Sequence, residues 1–338
     1  MTTKVWTVAT ALVLTWAASF DAQGQDFYKG KQIRMIIGHP VGNDYDLGAR
    51  FLAKYLPKHI PGNPLIIPQN MPQAASVVAA NYLYAQAPRD GTTFGTFSRN
   101  IPSQALMAQQ NVDIDPRRLN WLGGTSLPGR VCIAATSSAV KTPADLLTHE
   151  LIVAGAGAGS SLSILPTVFN HVLGTKFRII QGYKGTTDAV LAIERGEVEG
   201  TCATLGQFRV YEKLFADGKV RFILRAEEAA MPEIPDVPSI YELAKTEEQR
   251  QFMRFVFSST EFGRPYAFPP DVPRVRVDIM RKAFADALKD PELVAEAEKI
   301  KIDMTYRPPD RFEQLVKNLY DTPPDMIEVI KKLVPNVQ

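Results

Sequence analysis

The sequence is poor in the residues that build metal centres and covalent active sites. Its 338 residues include only two cysteines and four histidines, and no cysteine–histidine pair has the spacing of a zinc site. The G-x-S-x-G, P-loop and H-E-x-x-H motifs are also missing. These absences argue against elbow-type hydrolases, P-loop nucleotidases and zinc enzymes, and we expect neither a metal nor a cofactor.

Charge is balanced, so the sequence lacks the basic excess of a nucleic-acid-binding protein. Lysine and arginine total 38 against 36 acidic residues, a formal net charge of +2, and no basic block stands out. With 45% hydrophobic residues the composition is that of an ordinary globular protein, and the length favours two domains over one. We therefore expect no nucleic-acid partner.

Long apolar runs are missing except at the N-terminus. Residues 5–18 are apolar, Lys4 precedes them and polar residues follow. The run is shorter than the about 20 residues that span a bilayer. The A-Q-G sequence at 22–24 has small residues at both positions that signal peptidase reads. We therefore predict a signal peptide over residues 1–24, cleavage between Gly24 and Gln25, and export of the mature chain.

Export bears on the two cysteines, Cys132 and Cys202. Each lies in a short apolar segment that is suited to a strand. In an oxidising compartment, neighbouring strands could bring them into a disulfide. Two buried free thiols are the alternative. The sequence does not supply the Cα separation that decides between the two.

After residue 25 the chain alternates between strand and helix patterns. This alternation is typical of parallel sheets that are covered by helices, and it predicts an α/β fold of two lobes with a helical C-terminus. The predicted strands are 33–38, 65–67, 93–97, 151–154, 177–180, 198–204 and 220–224, and the predicted helices are 46–58, 77–87, 162–173, 186–195, 276–288, 291–300, 310–320 and 324–333.

Two loops that join a strand to a helix have residues suited to anion binding. They read H-P-V-G-N-D-Y-D at 39–46 and G-A-G-A-G-S-S at 155–161, and backbone N–H groups at helix N-termini bind anions. The second loop lacks the spacing and the following acidic residue of a dinucleotide fingerprint. In the first, we expect Asp46 to cap the helix and Gly42 and Asn43 to tolerate positive φ. His39 is either a ligand contact or a histidine beneath the loop.

Several short motifs follow one another in order along the chain. I-R-M-I-I at 33–37 precedes P-V-G-N-D-Y-D and A-R; Q-N-M-P-Q-A-A-S occupies 69–76 and A-P-R-D-G-T-T occupies 87–93. G-A-G-S-S at 157–161, Y-K-G at 183–185 and I-P-D-V-P-S at 234–239 follow. In residues and order these motifs resemble I-R-L-I-V, P-x-G-G-x-x-D, E-N-R-P-G-A-G-G, A-P-x-D-G-x-T, G-x-G-T-S, Y-K-G and L-P-D-V-P-T. These belong to the periplasmic receptors of tripartite tricarboxylate transporters, the Bug/TctC family.

The resemblance implies a type II periplasmic-binding-protein fold, in which crossover strands near 130–135 and 255–262 join two lobes. Residues 25–129 and 257–338 would form lobe 1, and residues 130–256 lobe 2. The implied protein is a receptor and not an enzyme. It would bind a di- or tricarboxylate or an aromatic acid in the interlobe cleft and deliver it to the membrane subunits of the transporter. We expect a monomer.

The candidate ligand-binding residues lie in the two loops and in the turns that follow other strands. In the first loop Asn43 and Asp44 replace small residues of the family pattern. A carboxylate at 44 would repel a carboxylate ligand unless it points away or caps the backbone. Arg99 offers a bidentate fork for a second carboxylate, with an exposed surface arginine as the alternative. The candidates are His39, Val41, Gly42, Asn43, Asp44, Tyr45, Asp46, Ser98, Arg99, Gly157, Ala158, Gly159, Ser160, Ser161, Tyr183, Lys184, Thr204 and Gln207.

Two other functions remain open on the sequence alone. A secreted hydrolase or lyase on the same lobes would use His39 with Asp44 or Asp46. A ligand-binding receptor could also report to a sensor kinase instead of a transporter, because partner surfaces carry no motif that distinguishes the two.

Overall fold

A computed structural model describes residues 27–108, 111–125, 129–156, 160–208, 211–228, 230–231 and 233–333. The chain divides into two compact units. Unit 1 comprises the described residues of Met1–Leu127 and Phe262–Lys317, and unit 2 those of Pro128–Glu261 and Asn318–Gln338. The predicted signal peptide and its cleavage site lie outside the described residues.

Each unit contains one sheet with helices packed on it. The first segment of unit 1 contains β1 (Gln32–Ile37), α1 (Asp44–Tyr55), β2 (Leu65–Asn70), α2 (Val77–Ala85), β3 (Thr93–Thr96), α3 (Ile101–Leu106) and β4 (Asn120–Thr125). Unit 2 contains β5 (Arg130–Ala135), β6 (Leu151–Gly155), α4 (Ser161–Leu173), β7 (Phe177–Gln181), α5 (Thr186–Glu194), β8 (Gly200–Thr204), α6 (Leu205–Phe208), α7 (Glu212–Ala216), β9 (Val220–Arg225) and α8 (Glu247–Glu261). The remaining elements are β10 (Arg264–Phe268), α9 (Arg274–Ala287), α10 (Pro291–Ile300), β11 (Tyr306–Arg307), α11 (Pro309–Tyr320) and α12 (Pro324–Leu333).

The sheet of unit 1 is mixed. Its strand order is β11-β4-β10-β3-β1-β2. β1 pairs in parallel with β2 and β3, as the βα alternation predicts. β10 is antiparallel to both β3 and β4, and β11 is antiparallel to β4. The antiparallel strands β10 and β11 enter the sheet outside the βα alternation, so the sheet is mixed.

β1 is fully buried on one face, whereas on the other face Ile36 is buried, Arg34 half-buried and Gln32 exposed, so the burial that its apolar run predicts is found only in part. Ile33, Met35 and Ile37 are fully buried and belong to a core that includes Leu52 of α1 and Phe284 of α9. Burial of side chains of this size contributes about 1.5–3 kcal/mol each relative to exposure. The core thus fixes the carboxyl end of β1, from which the first candidate loop leaves.

The sheet of unit 2 has the order β7-β6-β8-β5-β9. β6 is parallel to β7 and β8, and β5 is antiparallel to β8 and β9. Cys132 on β5 lies directly opposite Cys202 on β8. The two form a disulfide across a separation of 70 residues, and both are fully buried.

Two segments differ from the expected arrangement. Residues 255–261, within the predicted second crossover strand, are the last part of helix α8, and β10 begins after it. The last described part of the chain, residues 318–333, groups with unit 2 instead of the expected lobe 1. One reason is a contact with α8, where the Gln251 side-chain amide donates to the Asp321 carbonyl at 2.9 Å. Among the described helices, none is both long and apolar enough to cross a membrane.

Candidate functional site

The candidate residues of unit 1 meet at one edge of its sheet. Parallel strands bring the loops that follow them to the same edge, so the loops after β1, β2 and β3 are neighbours. Because β10 is antiparallel to β3, its amino end reaches this edge too. Residues 38–46, 71–76, 97–100 and 263–264 therefore surround one region.

The N-cap of α1 is Asn43 and not Asp46. Helix α1 begins two residues earlier than predicted, at Asp44, and the Asn43 side chain accepts a hydrogen bond from the Tyr45 N–H at 2.9 Å. Asn43 has a φ of −70°, whereas Gly42 has a φ of +84°. The expectation of positive φ therefore holds for Gly42 alone.

Asp46 instead ties the loop to its surroundings. Its side chain is 1% exposed. The carboxylate accepts hydrogen bonds from the Gly42 N–H at 2.9 Å, from Arg50 Nε at 2.8 Å and from Asn70 Nδ2 at 2.8 Å. Burial alone raises the pKa of Asp46, but these hydrogen bonds and the Arg50 charge outweigh it and hold the pKa below its usual value. Asp46 is an ionised structural group and is not positioned as a base.

His39 and Tyr45 form a stacked pair behind the loop. Their ring centroids are 3.9 Å apart and the planes differ by 20°. His39 Nε2 is buried with no hydrogen-bond partner in the described part of the chain. Burial lowers the pKa of His39, against the opposing charge of Asp44. Among the described residues, neither Asp44 nor Asp46 hydrogen-bonds to His39.

Tyr45 is buried and links three segments. Its hydroxyl donates to the Gly263 carbonyl at 3.1 Å and accepts from the Arg99 N–H at 3.3 Å. Burial raises the pKa of Tyr45, and the nearby Arg99 charge opposes that effect. The loop after β1 is thus joined to the loop after β3 and to the start of β10.

Asp44 lies at the first position of α1 and points partly toward Arg264. Its carboxylate is 70% exposed, and Oδ2 is 3.9 Å from Arg264 Nη1. The buried Arg264 guanidinium also donates to the Asp44 carbonyl at 3.2 Å, to Thr125 Oγ1 at 3.1 Å and to the Asp303 carbonyl. The acidic residue that departs from the family pattern is therefore partly neutralised by Arg264.

The remaining candidates of unit 1 are more open. Val41 is 73% exposed, and Ser98 and Arg99 are half-buried. Ser98 Oγ accepts from the Asn100 N–H at 3.4 Å. Within the residues that the structure describes, the Arg99 guanidinium forms no hydrogen bond or ion pair. Among the described residues at this edge of the sheet, it is therefore a cation that is free to bind a ligand.

Sequence reasoning did not single out the turn that follows β2. Ala74, Ala75 and Ser76 all have positive φ, at 48°, 49° and 80°, in a loop where the family pattern has glycines. The Ser76 hydroxyl donates to the Gly38 carbonyl at 2.7 Å. A Cβ at Gly38 would lie 2.7 Å from Ser76 Oγ, so the two loops pack closely. The glycines at this place in the family motif are the sequence signal that could have identified this turn.

The candidates of unit 2 also lie at one edge of their sheet, at the ends of β6, β7 and β8. Ser160 is the N-cap of α4, and its Oγ accepts from the Leu162 N–H at 3.3 Å. Ser161 is the first residue of the helix. Gly157, Ala158 and Gly159 lie outside the described residues, so the glycine loop itself stays a prediction.

The turns after β7 and β8 hold their candidates through local contacts. Tyr183 is half-buried against the core of unit 2, whereas Lys184 is exposed, with its backbone N–H donating to Asp188 at 3.2 Å. Gln207 Oε1 accepts from the N–H and the hydroxyl of Thr204 at 3.2 and 3.1 Å. Two polar groups that sequence analysis offered as ligand contacts are thus already bonded to each other.

Glu227, which sequence analysis did not consider, lies beside Arg130, the first residue of β5. Its Oε1 accepts from the Arg130 N–H at 2.8 Å, and its Oε2 is buried without a hydrogen-bond partner among the described residues. Burial raises the pKa of Glu227 to about 7, although the Arg130 charge opposes the shift. The Arg130 side chain donates to the Phe257 carbonyl of α8 at 2.8 Å.

The described polar groups of both units are suited to binding an anion. No group of three or more His, Cys, Asp or Glu side chains that could hold a metal occurs in the described ranges. Asp46 in the first loop and Arg264 at the start of β10 are buried and used in structural bonds. What remains available is a guanidinium, hydroxyl groups and a helix N-terminus, which are donors for an anionic ligand.

Comparison with known proteins agrees with this arrangement. The model of the tripartite tricarboxylate transporter family receptor, TctC, matches residues 49–332. A TctC solute-binding protein from Polaromonas, solved without ligand, is 16% identical with a TM-score of 0.69, and the match covers 91% of this chain and 99% of that one.

Two further solved structures show the same fold. The periplasmic binding protein BugD is 18% identical with a TM-score of 0.51, covering 90% of this chain and 98% of that one. A periplasmic transporter protein is 20% identical with a TM-score of 0.51, covering 92% and 100%. A search of curated proteins found no match. The family model spans most of the chain, and the predicted α/β fold with a helical C-terminus is confirmed. This chain is a member of the tripartite tricarboxylate transporter family of receptors.

Proposed function

We propose that the protein is a periplasmic receptor that binds a small organic carboxylate and delivers it to the membrane subunits of a tripartite tricarboxylate transporter. The observation that carries the ligand class is the Arg99 guanidinium, which is half-buried at the carboxyl edge of β3 and has no partner among the described residues. A planar guanidinium binds a carboxylate through two parallel hydrogen bonds. The family membership supports the role as a receptor.

The N-terminus of α1 contributes less to anion binding than the sequence indicated. Asp46 and Asn43 already accept the N–H groups of Gly42 and Tyr45. Asp44 and Asp46 also place two carboxylates in the first turn, where they offset the positive end of the helix dipole. In unit 1 we therefore assign the ligand carboxylate to Arg99, with Ser98 as the neighbouring hydroxyl.

In unit 2 we assign the second polar contact to the loop that leads into α4. Ser160 caps this helix, and the first turn of α4 contains no acidic residue, so the helix dipole is not offset there. Gly157, Ala158, Gly159 and Ser161 complete this proposed site. Tyr183 and Lys184 stay proposed contacts for the part of the ligand that is distal to its carboxylate.

The geometry of His39 and Asp46 disfavours the hydrolase or lyase that the sequence left open. His39 Nε2 is buried, and the carboxylate of Asp46 is bonded to three other groups. A general base must lie within hydrogen-bond reach of the proton that it takes. We therefore propose a protein without turnover and without a cofactor.

The first test is a thermal-shift screen of residues 25–338 against succinate, citrate, benzoate and their neutral amides. A ligand that binds only the folded state stabilises it by about 2.7 kcal/mol at a hundredfold excess over Kd. We expect a shift for at least one acid and none for its amide. Shifts for amides and acids alike would contradict a carboxylate ligand.

Arg99→Gln tests the residue that carries the proposal. This change should weaken the binding of the responding acid by at least about tenfold, because a charge-assisted bidentate pair is lost. Arg274→Gln is the control, since Arg274 is 72% exposed and pairs with Asp278 on α9. Equal affinities in the two variants would show that Arg99 does not bind the ligand.

Deletion of the gene separates transport from signalling. Loss of uptake of the responding acid, with transcriptional responses to that acid unchanged, is the expected result. The reverse result would favour a receptor for a sensor kinase. Fractionation of the same cells tests the periplasmic location, and light scattering of the purified protein tests the proposed monomer.

A further inference from the structure

Tyr45 is buried, and both of its hydrogen bonds reach segments that are distant in sequence. The hydroxyl donates to the Gly263 carbonyl, 218 residues away, and accepts from the Arg99 N–H, 54 residues away. With 9% of its surface exposed, the side chain has little area for a ligand. Its contacts are those of a residue that holds other segments in place.

A second link runs beside the first. Arg264, the neighbour of Gly263, donates to the Asp44 carbonyl at the start of α1 at 3.2 Å. The same guanidinium donates to Thr125 and Asp303, so it is fixed from three sides. A Cβ at Gly48 would lie 3.3 Å from it, which shows how closely α1 approaches this side chain. The loop and the start of α1 are thus bonded to two consecutive residues.

These two residues follow the point at which the chain returns to unit 1. The unit resumes at Phe262, which is fully buried against Trp121 and Phe312 with ring centroids 5.7 and 5.8 Å away. Gly263 follows with a φ of +55°. We call residues 262–264, with which unit 1 resumes, the connecting segment. The 38–46 loop is joined to it at Gly263, directly after the buried Phe262.

The stacked His39 ring restricts Tyr45 from its other side. The two rings lie 3.9 Å apart in nearly parallel planes, and the Asn70 amide donates to the His39 carbonyl at 2.9 Å. The His39 ring therefore fixes the direction of the Tyr45 side chain, and Asn70 in turn fixes the backbone of His39. Binding groups are most precise when such supporting contacts fix them.

We propose that Tyr45 is a positioning residue, which keeps the 38–46 loop and the Arg99 segment in register with the connecting segment at Gly263. A movement of the connecting segment is then transmitted to the 38–46 loop and to the Arg99 segment through the Tyr45 hydroxyl. His39 serves this function by stacking and does not contact the ligand. The effect on ligand affinity rests on the proposed function, whereas the link between the segments does not.

The experiment compares Tyr45→Phe with Tyr28→Phe. Tyr28 is a matched control, because it is also buried in unit 1 and its hydroxyl donates to a backbone carbonyl, that of Gly91, at 3.2 Å. Amide hydrogen exchange of residues 38–46 and 97–103 is followed by mass spectrometry without ligand. Affinity for succinate, citrate and benzoate is measured by calorimetry on the same proteins.

We expect faster exchange in both segments for Tyr45→Phe only, and roughly tenfold weaker affinity at an unfolding temperature like that of Tyr28→Phe. Identical exchange in the two variants would overturn the proposal. Weaker affinity that merely followed a lower unfolding temperature would also overturn it. If the unaltered protein binds none of the three acids, the proposed ligand class fails, and the exchange comparison still decides the role of Tyr45.

Two substitutions of His39 test the stacking contact. His39→Ala removes the ring and should reproduce the faster exchange of Tyr45→Phe. His39→Phe keeps a ring against Tyr45 and should restore the exchange and the affinity to within about twofold. Weak binding in His39→Phe with normal exchange would show that His39 contacts the ligand, and would contradict a purely positioning role.

Discussion

The two candidate sites are supported by different means. In unit 1 the loop after β1 is held by the buried groups Asp46, Tyr45 and Arg264, which bond to residues far away in sequence. In unit 2 the described candidates make local contacts, such as those of Ser160 with Leu162 and of Gln207 with Thr204. A site fixed by buried bonds is preorganised, whereas one with local bonds adapts more easily. We infer that the candidate site of unit 1 is the more rigid of the two.

Removing the buried carboxylate of unit 1 should have the largest effect on stability. Asp46→Ala leaves the N–H of Gly42 and the side chains of Arg50 and Asn70 without their acceptor. We expect a loss of about 3–5 kcal/mol in the free energy of unfolding, measured by chemical denaturation. Asp44→Ala, at a 70% exposed carboxylate, should cost under about 1 kcal/mol. Similar losses in the two variants would show that the buried bonds of Asp46 do not hold the loop of unit 1.

The disulfide gives unit 2 a support that unit 1 lacks. Replacing Cys132 and Cys202 together by alanine should lower the free energy of unfolding by about 2–4 kcal/mol, since the bridge closes a long loop. The loss should be confined to unit 2, which hydrogen exchange of β5 and β8 measures against exchange of β1. Two free thiols in the unfolded, unreduced protein would contradict the bridge.

Glu227 should make the stability of unit 2 depend on pH. Its pKa in the folded protein is about 7, above the ordinary 4.5. Between these values the folded state binds a proton that the unfolded state lacks, so the free energy of unfolding falls as pH rises. Glu227→Gln keeps an acceptor for Arg130 and should lose this dependence, which we expect to amount to about 2 kcal/mol between pH 5 and 8. Denaturation at several pH values measures it.

A matched exposed residue sharpens the pH test. Glu212→Gln, on the surface of α7, should give a pH curve parallel to that of the unaltered protein. If the pH curve of Glu227→Gln is also parallel to that of the unaltered protein, Glu227 is not the group that causes the pH dependence.

The smallest effect is expected at the cap of α4. Ser160→Ala removes the acceptor for the Leu162 N–H and should cost about 1 kcal/mol. Ser160→Asn should restore most of the stability, because asparagine also caps helices. If the alanine variant is as stable as the unaltered protein, the cap makes no measurable contribution.

The sequence predicts the strands that are continuous apolar runs and misses those that are not. The composition predicts β1 and β6, because strands in the interior of a covered sheet are largely apolar. β10 contains Arg264 and Pro265 and resembles no such run. Its antiparallel direction depends on where the chain returns to unit 1, which no local pattern encodes.

Prediction from the sequence has the same limit for single residues of the candidate site. Asn43 and Asp46 are both good caps, and the choice between them depends on Arg50 and Asn70 competing for the Asp46 carboxylate. The role of Tyr45 depends on a carbonyl 218 residues away. Residue types at the carboxyl ends of strands were informative, whereas contacts between distant segments were not accessible from the sequence.

The most direct test of the central claim is calorimetric titration of residues 25–338 with succinate, citrate, benzoate and the matching amides, on unaltered protein and on Arg99→Gln. The account predicts saturable binding of at least one acid, no binding of its amide, and at least about tenfold weaker binding of that acid by Arg99→Gln. Binding of amides as tightly as acids, or binding that Arg99→Gln leaves unchanged, would contradict it.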